Sequence, residues 1–135
     1  MLKKTITYTD FNDVERTEDF YFNLKKSELM ELQLGIDGGM TQYIQKLVSA
    51  QDMPKLMDLF KKIIKTAYGV KSDDGRRFIK SDEIFKEFEE TEAYSELFME
   101  ISTDDKKAAD FFNAIIPPEL VADAQKQADV VPIKN

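Results

Sequence analysis

The side chains of this chain that could do chemistry are carboxylates, hydroxyls, phenols and lysine amines. The 135 residues include neither histidine nor cysteine. Their absence removes the commonest general base near neutral pH, the commonest metal ligand, disulfides and thiolate chemistry. Catalysis by carboxylates would need two acids held across a cleft with divergent pKa values, and sequence spacing alone shows no such pair. We predict that the protein is not an enzyme and binds no cofactor.

One loop invites comparison with a calcium site. The run Ser72-Asp73-Asp74-Gly75 has the composition of an EF-hand loop. If Gly75 takes the sixth position of such a loop, however, Val70 falls first and Ser81 twelfth, where two acids are required. The segment 69–80 is therefore predicted to be a loop or small hairpin, with this run as its turn and no metal bound.

The distribution of charged and apolar residues argues against two classes of partner, nucleic acids and membranes. The net charge is −7, and the lysines are scattered among acids, whereas phosphate binding needs clustered Lys and Arg. No apolar run approaches the roughly 18 residues that a membrane span needs. We expect neither nucleic acid nor membrane as a partner.

The acids of the most acidic stretch are predicted to form a solvated face: Glu87, Glu89, Glu90, Glu92, Glu96 and Glu100.

Length and composition predict one globular domain. A hydrophobic content of 42% is ordinary for a folded domain and too high for disorder throughout. We predict a single domain over 1–128 and a mobile tail over 129–135. The N-terminus turns polar after two lysines, without the apolar stretch of a signal peptide, so a cytoplasmic location is expected.

The fold class predicted from the patterns is mainly α (α+β). Residues 4–9 and 14–24 alternate apolar and polar side chains, which predicts a β-hairpin over 4–24 whose apolar face packs on helices. Five to six short helices are expected over 27–128, with Ser27, Ser81, Thr91 and Thr103 as N-terminal caps. The predicted segments are 28–34, 40–50, 53–68, 82–90, 92–101, 104–116 and a weaker one, 119–128. The fourth and fifth are separate helices or one sharply kinked helix. Counting them as one gives six helices, or five without the weaker segment.

The helix predicted from residue 53 is apolar over about half its circumference. This arc is wider than one core contact usually needs. A central helix buried between two neighbours would explain it. Alternatively, the edge formed by Met53 and Met57 remains available to a partner, since methionine adapts to irregular apolar surfaces.

Four segments together resemble the tail assembly chaperones of long-tailed phages and prophages of Gram-positive bacteria. They read KTITYTDFNDVERTEDFYFNLKKSELMEL, LFKKIIKTAYGVKSDDGRRFIKS, FEETEAYSELFMEI and AADFFNAIIP. No single motif is diagnostic, but their order and spacing extend over most of the chain, from about Lys3 to Leu120.

The resemblance implies an assembly factor that is absent from the finished virion. Proteins of this kind bind the tape measure protein, a long and largely helical chain, and keep it soluble until tail tube subunits polymerise around it. In many such phages a frameshift yields a minor, longer form that recruits tube subunits. The present chain would be the abundant short form, working in the cytoplasm of the host bacterium.

The resemblance supplies no binding residues, so the candidate client surface rests on the pattern alone. We predict that Met53 and Met57, with Phe85 and Phe88 from a neighbouring helix, contribute to it. Wide apolar arcs are also compatible with a homo-oligomer. Two other functions stay open: an acidic inhibitor or DNA mimic from a mobile element, and a general adaptor for another helical client. Lysines such as Lys61 and Lys106 interrupt the acids, which disfavours a DNA mimic.

Overall fold

The computed structural model describes residues 1–34, 46 and 49–116. The strands and helices follow in the order β1 (Leu2–Thr9), β2 (Glu15–Phe22), α1 (Lys26–Leu34), α2 (Met53–Ala67), β3 (Tyr68–Lys71), β4 (Phe78–Ile79), α3 (Asp82–Glu89), α4 (Glu92–Thr103) and α5 (Asp105–Ile115). The predicted class, mainly α (α+β) with an N-terminal hairpin, is confirmed.

Several predicted segments lie outside the described residues. They are the helix over 119–128, the tail over 129–135 and most of the helix over 40–50, of which Lys46, Ser49 and Ala50 are helical. The domain boundary at residue 128 therefore stays a prediction.

A carboxylate organises the turn of the first hairpin. The β1 and β2 strands pair antiparallel without interruption from Leu2 opposite Phe22 to Thr9 opposite Glu15. At the turn, the carboxylate of Asp10 accepts the backbone N–H groups of Asn12 at 2.8 Å and Val14 at 3.0 Å. It also accepts Arg16 Nε–H at 2.6 Å. The bond from Arg16 and the two backbone bonds lower the pKa of the Asp10 carboxyl.

One face of this hairpin lies on the helices, as predicted. Ile6, Tyr8 and Phe22 are buried, while the opposite face of β1 carries exposed threonines. Helix α5 contacts this face through Phe111, whose ring centroid is 5.3 Å from that of Phe22. Helix α4 contributes an ion pair, because Glu100 Oε1 lies 2.7 Å from Lys4 Nζ. The polar and apolar faces of the hairpin thus follow directly from the period-two pattern.

The hairpin is half of a larger sheet. The segment 69–80 forms a second hairpin, as predicted, and β3 pairs with β2 to give the strand order β1-β2-β3-β4. Gly75 has φ +75° at the tight turn, where glycine carries no steric penalty. At Gly69 a side chain has no room, because a Cβ there would lie 2.8 Å from the Phe78 ring and 2.9 Å from the Ile79 carbonyl oxygen.

The capping predictions had mixed outcomes. Ser81 and Thr91 cap α3 and α4 by accepting the backbone N–H groups of Ile84 at 3.0 Å and Tyr94 at 3.4 Å. The prediction for Thr103 was wrong: its hydroxyl donates back to the Met99 carbonyl oxygen at 2.6 Å.

The carboxylate of Asp104 caps α5 instead, accepting the N–H groups of Lys106 at 3.0 Å and Lys107 at 3.1 Å. The prediction for Ser27 was also wrong, because α1 begins one residue earlier, at Lys26. At that end the Glu28 carboxylate accepts the Lys25 N–H at 2.9 Å. In both cases a neighbouring carboxylate supplies the acceptor, and an ionised acceptor binds an N–H more strongly than a hydroxyl does.

One cluster of buried side chains joins the sheet to the helices. Its members come from β1, β2 and all the helices whose ranges are given above. Within the described ranges, no helix combines the length and apolar character needed to cross a membrane.

Candidate functional site

The described part of the chain exposes several large apolar side chains. They are Met1, Phe11, Val14, Met30, Met53, Val70 and Met99. Four of these seven are methionines, whose flexible thioether side chains adapt to irregular apolar partners. A surface for a non-polar partner is therefore to be sought around the methionines.

Helix α2 begins abruptly, and this fixes where its first apolar residues lie. The Asp52 carboxylate accepts the Lys55 backbone N–H at 3.4 Å, and Pro54 occupies the first turn. A capping acid and a first-turn proline both favour a helix start at this point. Met53 consequently stands at the first helical position, with Met57 one turn further on.

A single apolar stripe runs along α2 and passes from the surface into the core. Met53, Met57, Phe60 and Ile64 follow one another at spacings of four, three and four residues, which places them on one side of a helix. The exposed fraction falls from 49% at Met53, through a half-buried Met57, to 5% at Phe60 and none at Ile64. We call the exposed end of this stripe, Met53 with Met57, the methionine pair.

Helix α3 runs along only the later part of α2, so it does not cover the methionine pair. Lys65 Nζ lies 3.7 Å from Asp82 at the start of α3, and Lys61 Nζ lies 2.8 Å from Glu89 at its end. Eight residues separate Lys61 from Met53, or about 12 Å along a helix. The first two turns of α2 therefore extend past the end of α3.

The other two predicted residues are core residues. Phe85 and Phe88 are 4% and 2% exposed. Phe88 stacks on Tyr68 with ring centroids 4.4 Å apart and contacts Phe20 at 4.9 Å. Phe85 meets the Tyr94 ring edge to face at 5.8 Å. The structure keeps the two phenylalanines together, but inside the core and apart from the methionine pair. Their role in client binding stays a prediction.

Mixed charges border the exposed part of α2. Asp52 Oδ2 lies 3.8 Å from Lys55 Nζ, and Asp58 and Lys62 are exposed. The bond to Glu89 raises the pKa of Lys61. The methionine pair thus has an apolar centre and a charged edge, as protein interfaces commonly do.

The acidic stretch is only partly a solvated face. Glu87, Glu90, Glu92 and Glu96 are exposed, as predicted, whereas Glu89 and Glu100 are half-buried and pair with lysines of α2 and β1. Among the described residues, no three acidic side chains come together in a way that could hold a metal ion.

Two exposed methionines within helices were not predicted from the sequence. Met30 of α1 and Met99 of α4 are 64% and 54% exposed. A signal for Met99 was present, because the apolar stripe of α4 passes through Tyr94, Leu97, Phe98 and Ile101 and leaves Met99 outside it. Helix α1 has no comparable apolar stripe.

Comparison with known proteins gives the family directly. The sequence model of one family, described as phage tail assembly chaperone, matches residues 1–134. No curated protein and no solved structure matched the chain. A match over nearly the full length fixes membership rather than a shared fragment, so the chain belongs to the phage tail assembly chaperone family.

Proposed function

We propose that this protein binds the tape measure protein of a long-tailed phage or prophage of Gram-positive bacteria and keeps it soluble during tail assembly. Family membership over residues 1–134 carries the proposal. A longer, frameshifted form would recruit tail tube subunits. The short form acts without catalysis in the host cytoplasm and is left out of the virion.

The methionine pair is the proposed client contact. A long amphipathic helix in water exposes an apolar stripe that would otherwise aggregate. Packing that stripe on another apolar helix surface removes it from water, as in other helix-in-groove complexes. Met53 and Met57 provide such a surface at the projecting end of α2. In this proposal Phe85 and Phe88 act from the core, by holding α3 in place.

Charge around the pair suits this role. The flanking Lys55 and Lys62 are exposed beside Asp52 and Asp58, so the rim offers both signs to a client helix. The net charge of −7 opposes non-specific aggregation of the chaperone. Client helices of varied sequence can then be held mainly by apolar contact, with little demand for particular polar partners.

The test is co-expression of the tape measure protein with chaperone variants. In the first variant Met53 and Met57 are both replaced by lysine. Its matched control carries the same replacement at Met30 and Met99, which are at least as exposed. When the client binds, the introduced lysines would have to bury their charges. The Met53/Met57 variant should therefore retain about tenfold less tape measure protein than the wild type.

Two quantities are measured: the amount of tape measure protein in the soluble fraction, and the amount that co-purifies with tagged chaperone. Thermal unfolding of each purified variant shows whether the fold is retained. The control variant should bind as the wild type does. Undiminished binding by the Met53/Met57 variant would show that the contact lies elsewhere on the molecule. Failure of the wild type to retain any tape measure protein would overturn the proposed function itself.

A further inference from the structure

We propose that β1 is a docking edge for a second copy of this chain, the two β1 strands pairing antiparallel about a two-fold axis. The order β1-β2-β3-β4 leaves β1 at one edge of the sheet, with all eight of its residues paired on one side only. No backbone hydrogen bond from another described segment reaches its outer side. A long free edge of this kind is a ready template for a further strand.

The edge lacks two of the devices that natural sheets use to prevent pairing, a proline and a bulge. There is no proline in β1, and the unbroken register with β2 leaves no bulge. The strand does carry two lysines, a residue type that discourages edge pairing: Lys3 is exposed near its start, and Lys4 is neutralised by Glu100 at 2.7 Å. The opposite edge, β4, is only two residues long. The short β4 edge offers little to pair with, whereas β1 offers eight residues, and this contrast points to use of β1 as an interface.

The backbone groups free for pairing can be identified. Asp10 N–H bonds the Val14 carbonyl oxygen at 2.9 Å at the turn. Because hydrogen-bonded and non-bonded positions alternate along an antiparallel pair, the even-numbered residues of β1 bond to β2. The odd-numbered residues Lys3, Thr5, Thr7 and Thr9 direct their backbone groups outward, and all four are exposed.

One register of the two β1 strands gives all four outward-facing residues a hydrogen-bonding partner. An axis at Ile6 places Thr5 opposite Thr7 of the other copy, and Lys3 opposite Thr9. Moving the axis by one residue in either direction leaves Thr9 or Lys3 without a partner. Threonine pairs across strands are favourable. The chemistry of the edge therefore matches a copy of itself.

Charge along the strand selects the antiparallel arrangement. The β1 strand begins with the exposed Lys3 and leads to the exposed Asp13, with the exposed Glu15 beside its end on β2, whereas Lys4 and Asp10 are paired within the chain with Glu100 and Arg16. Antiparallel pairing places the basic end of each copy beside the acidic end of the other. Parallel pairing would place like charges together, which is unfavourable across strands. The interface is separate from the methionine pair, so it does not depend on client binding.

The first test replaces Thr7 by proline. Proline removes one outward N–H from each copy but leaves the bonds between β1 and β2, which use even-numbered residues. Thr7→Val is the matched control, since it keeps the N–H and the branched shape. Sedimentation equilibrium should show dimers for the wild type and T7V, and a dissociation constant about thirtyfold higher for T7P. A wild type that is monomeric at every concentration overturns the proposal.

A second test does not depend on how well the proline variant folds. The chain has no cysteine, so single cysteines can be placed freely. An oxidised mixture of T5C and T7C should form the mixed disulfide in preference to a mixture of T5C and T17C, because Thr17 lies on β2 beside Thr7 of its own chain. Equal yields from the two mixtures would rule out the β1 pairing.

Discussion

At the scale of single residues, the ammonium of Lys80 has the most hydrogen-bond acceptors of any side chain in the described part of the molecule. It donates to both carboxylate oxygens of Glu28, at 2.8 and 2.9 Å, and to the carbonyl oxygens of Asn23 and Thr66, each at 2.7 Å. Burial lowers the pKa of Lys80, an effect that the Glu28 carboxylate opposes. This one side chain links α1, the end of β2 and the last turn of α2.

Replacing Lys80 by methionine should therefore destabilise the fold by about 2 kcal/mol. The aliphatic stem is kept, but the carboxylate of Glu28 loses its cation and two carbonyl groups lose a donor. Urea unfolding followed by circular dichroism gives the free energy. The double variant Lys80→Met with Glu28→Gln should recover part of the loss, because it removes the uncompensated charge. An unfolding midpoint unchanged in K80M would show that this centre contributes little.

At the scale of elements, a break divides the acidic stretch into two helices. Treated as one straight helix, residues 82–101 would spread apolar side chains around the whole circumference, and the sequence therefore predicted a break near Thr91. The structure confirms it: Thr91 Oγ1 donates to the Phe88 carbonyl oxygen at 2.7 Å and accepts the Tyr94 N–H. The break lets Phe85 and Phe88 of α3, and Leu97 of α4, all reach the core.

Thr91→Val should cost about 1 kcal/mol of stability. Valine keeps the shape of threonine but cannot cap α4 or bond the end of α3. Thermal unfolding measures the loss, and Ser95→Ala, at an exposed position of the same helix, serves as the control. Equal stability of the two variants would mean that packing of the apolar side chains alone holds the break.

At the scale of the whole molecule, Phe22 unites the sheet with the helices. It is fully buried, and its ring centroid lies 5.3 Å from Phe111, 5.6 Å from Tyr68 and 5.9 Å from Phe88. The adjoining backbone is also tied down, because Asn23 N–H bonds the Ala67 carbonyl oxygen and Leu24 N–H bonds that of Ile115, each at 2.8 Å. The end of β2 thus meets the last turns of α2 and α5.

Phe22→Ala should lower the free energy of unfolding by about 3–5 kcal/mol, since it leaves a cavity among three rings. Phe22→Leu, which fills much of the space, should cost less. Circular dichroism and tyrosine fluorescence should report one shared transition for the leucine variant. Two separate transitions would show that the sheet and helices do not share a cooperative core.

The sequence by itself determined the elements. Alternation of apolar and polar side chains predicted the hairpin. The caps at Ser81 and Thr91 depend on hydrogen bonds that reach only three residues along the chain. Hydrogen bonds between residues this close in the chain can be predicted from the order of the residues alone. Errors arose where two local acceptors competed, as at Thr103 and Asp104.

Only the tertiary structure decided which apolar residues are covered. Phe85 and Met53 both belong to amphipathic helices, yet one is 4% and the other 49% exposed. The difference depends on where α3 ends beside α2, which no local pattern encodes. The joining of the two hairpins through Tyr21 and Gly69 is likewise set by packing between segments far apart in the chain, because burial belongs to the assembled core and not to any one element.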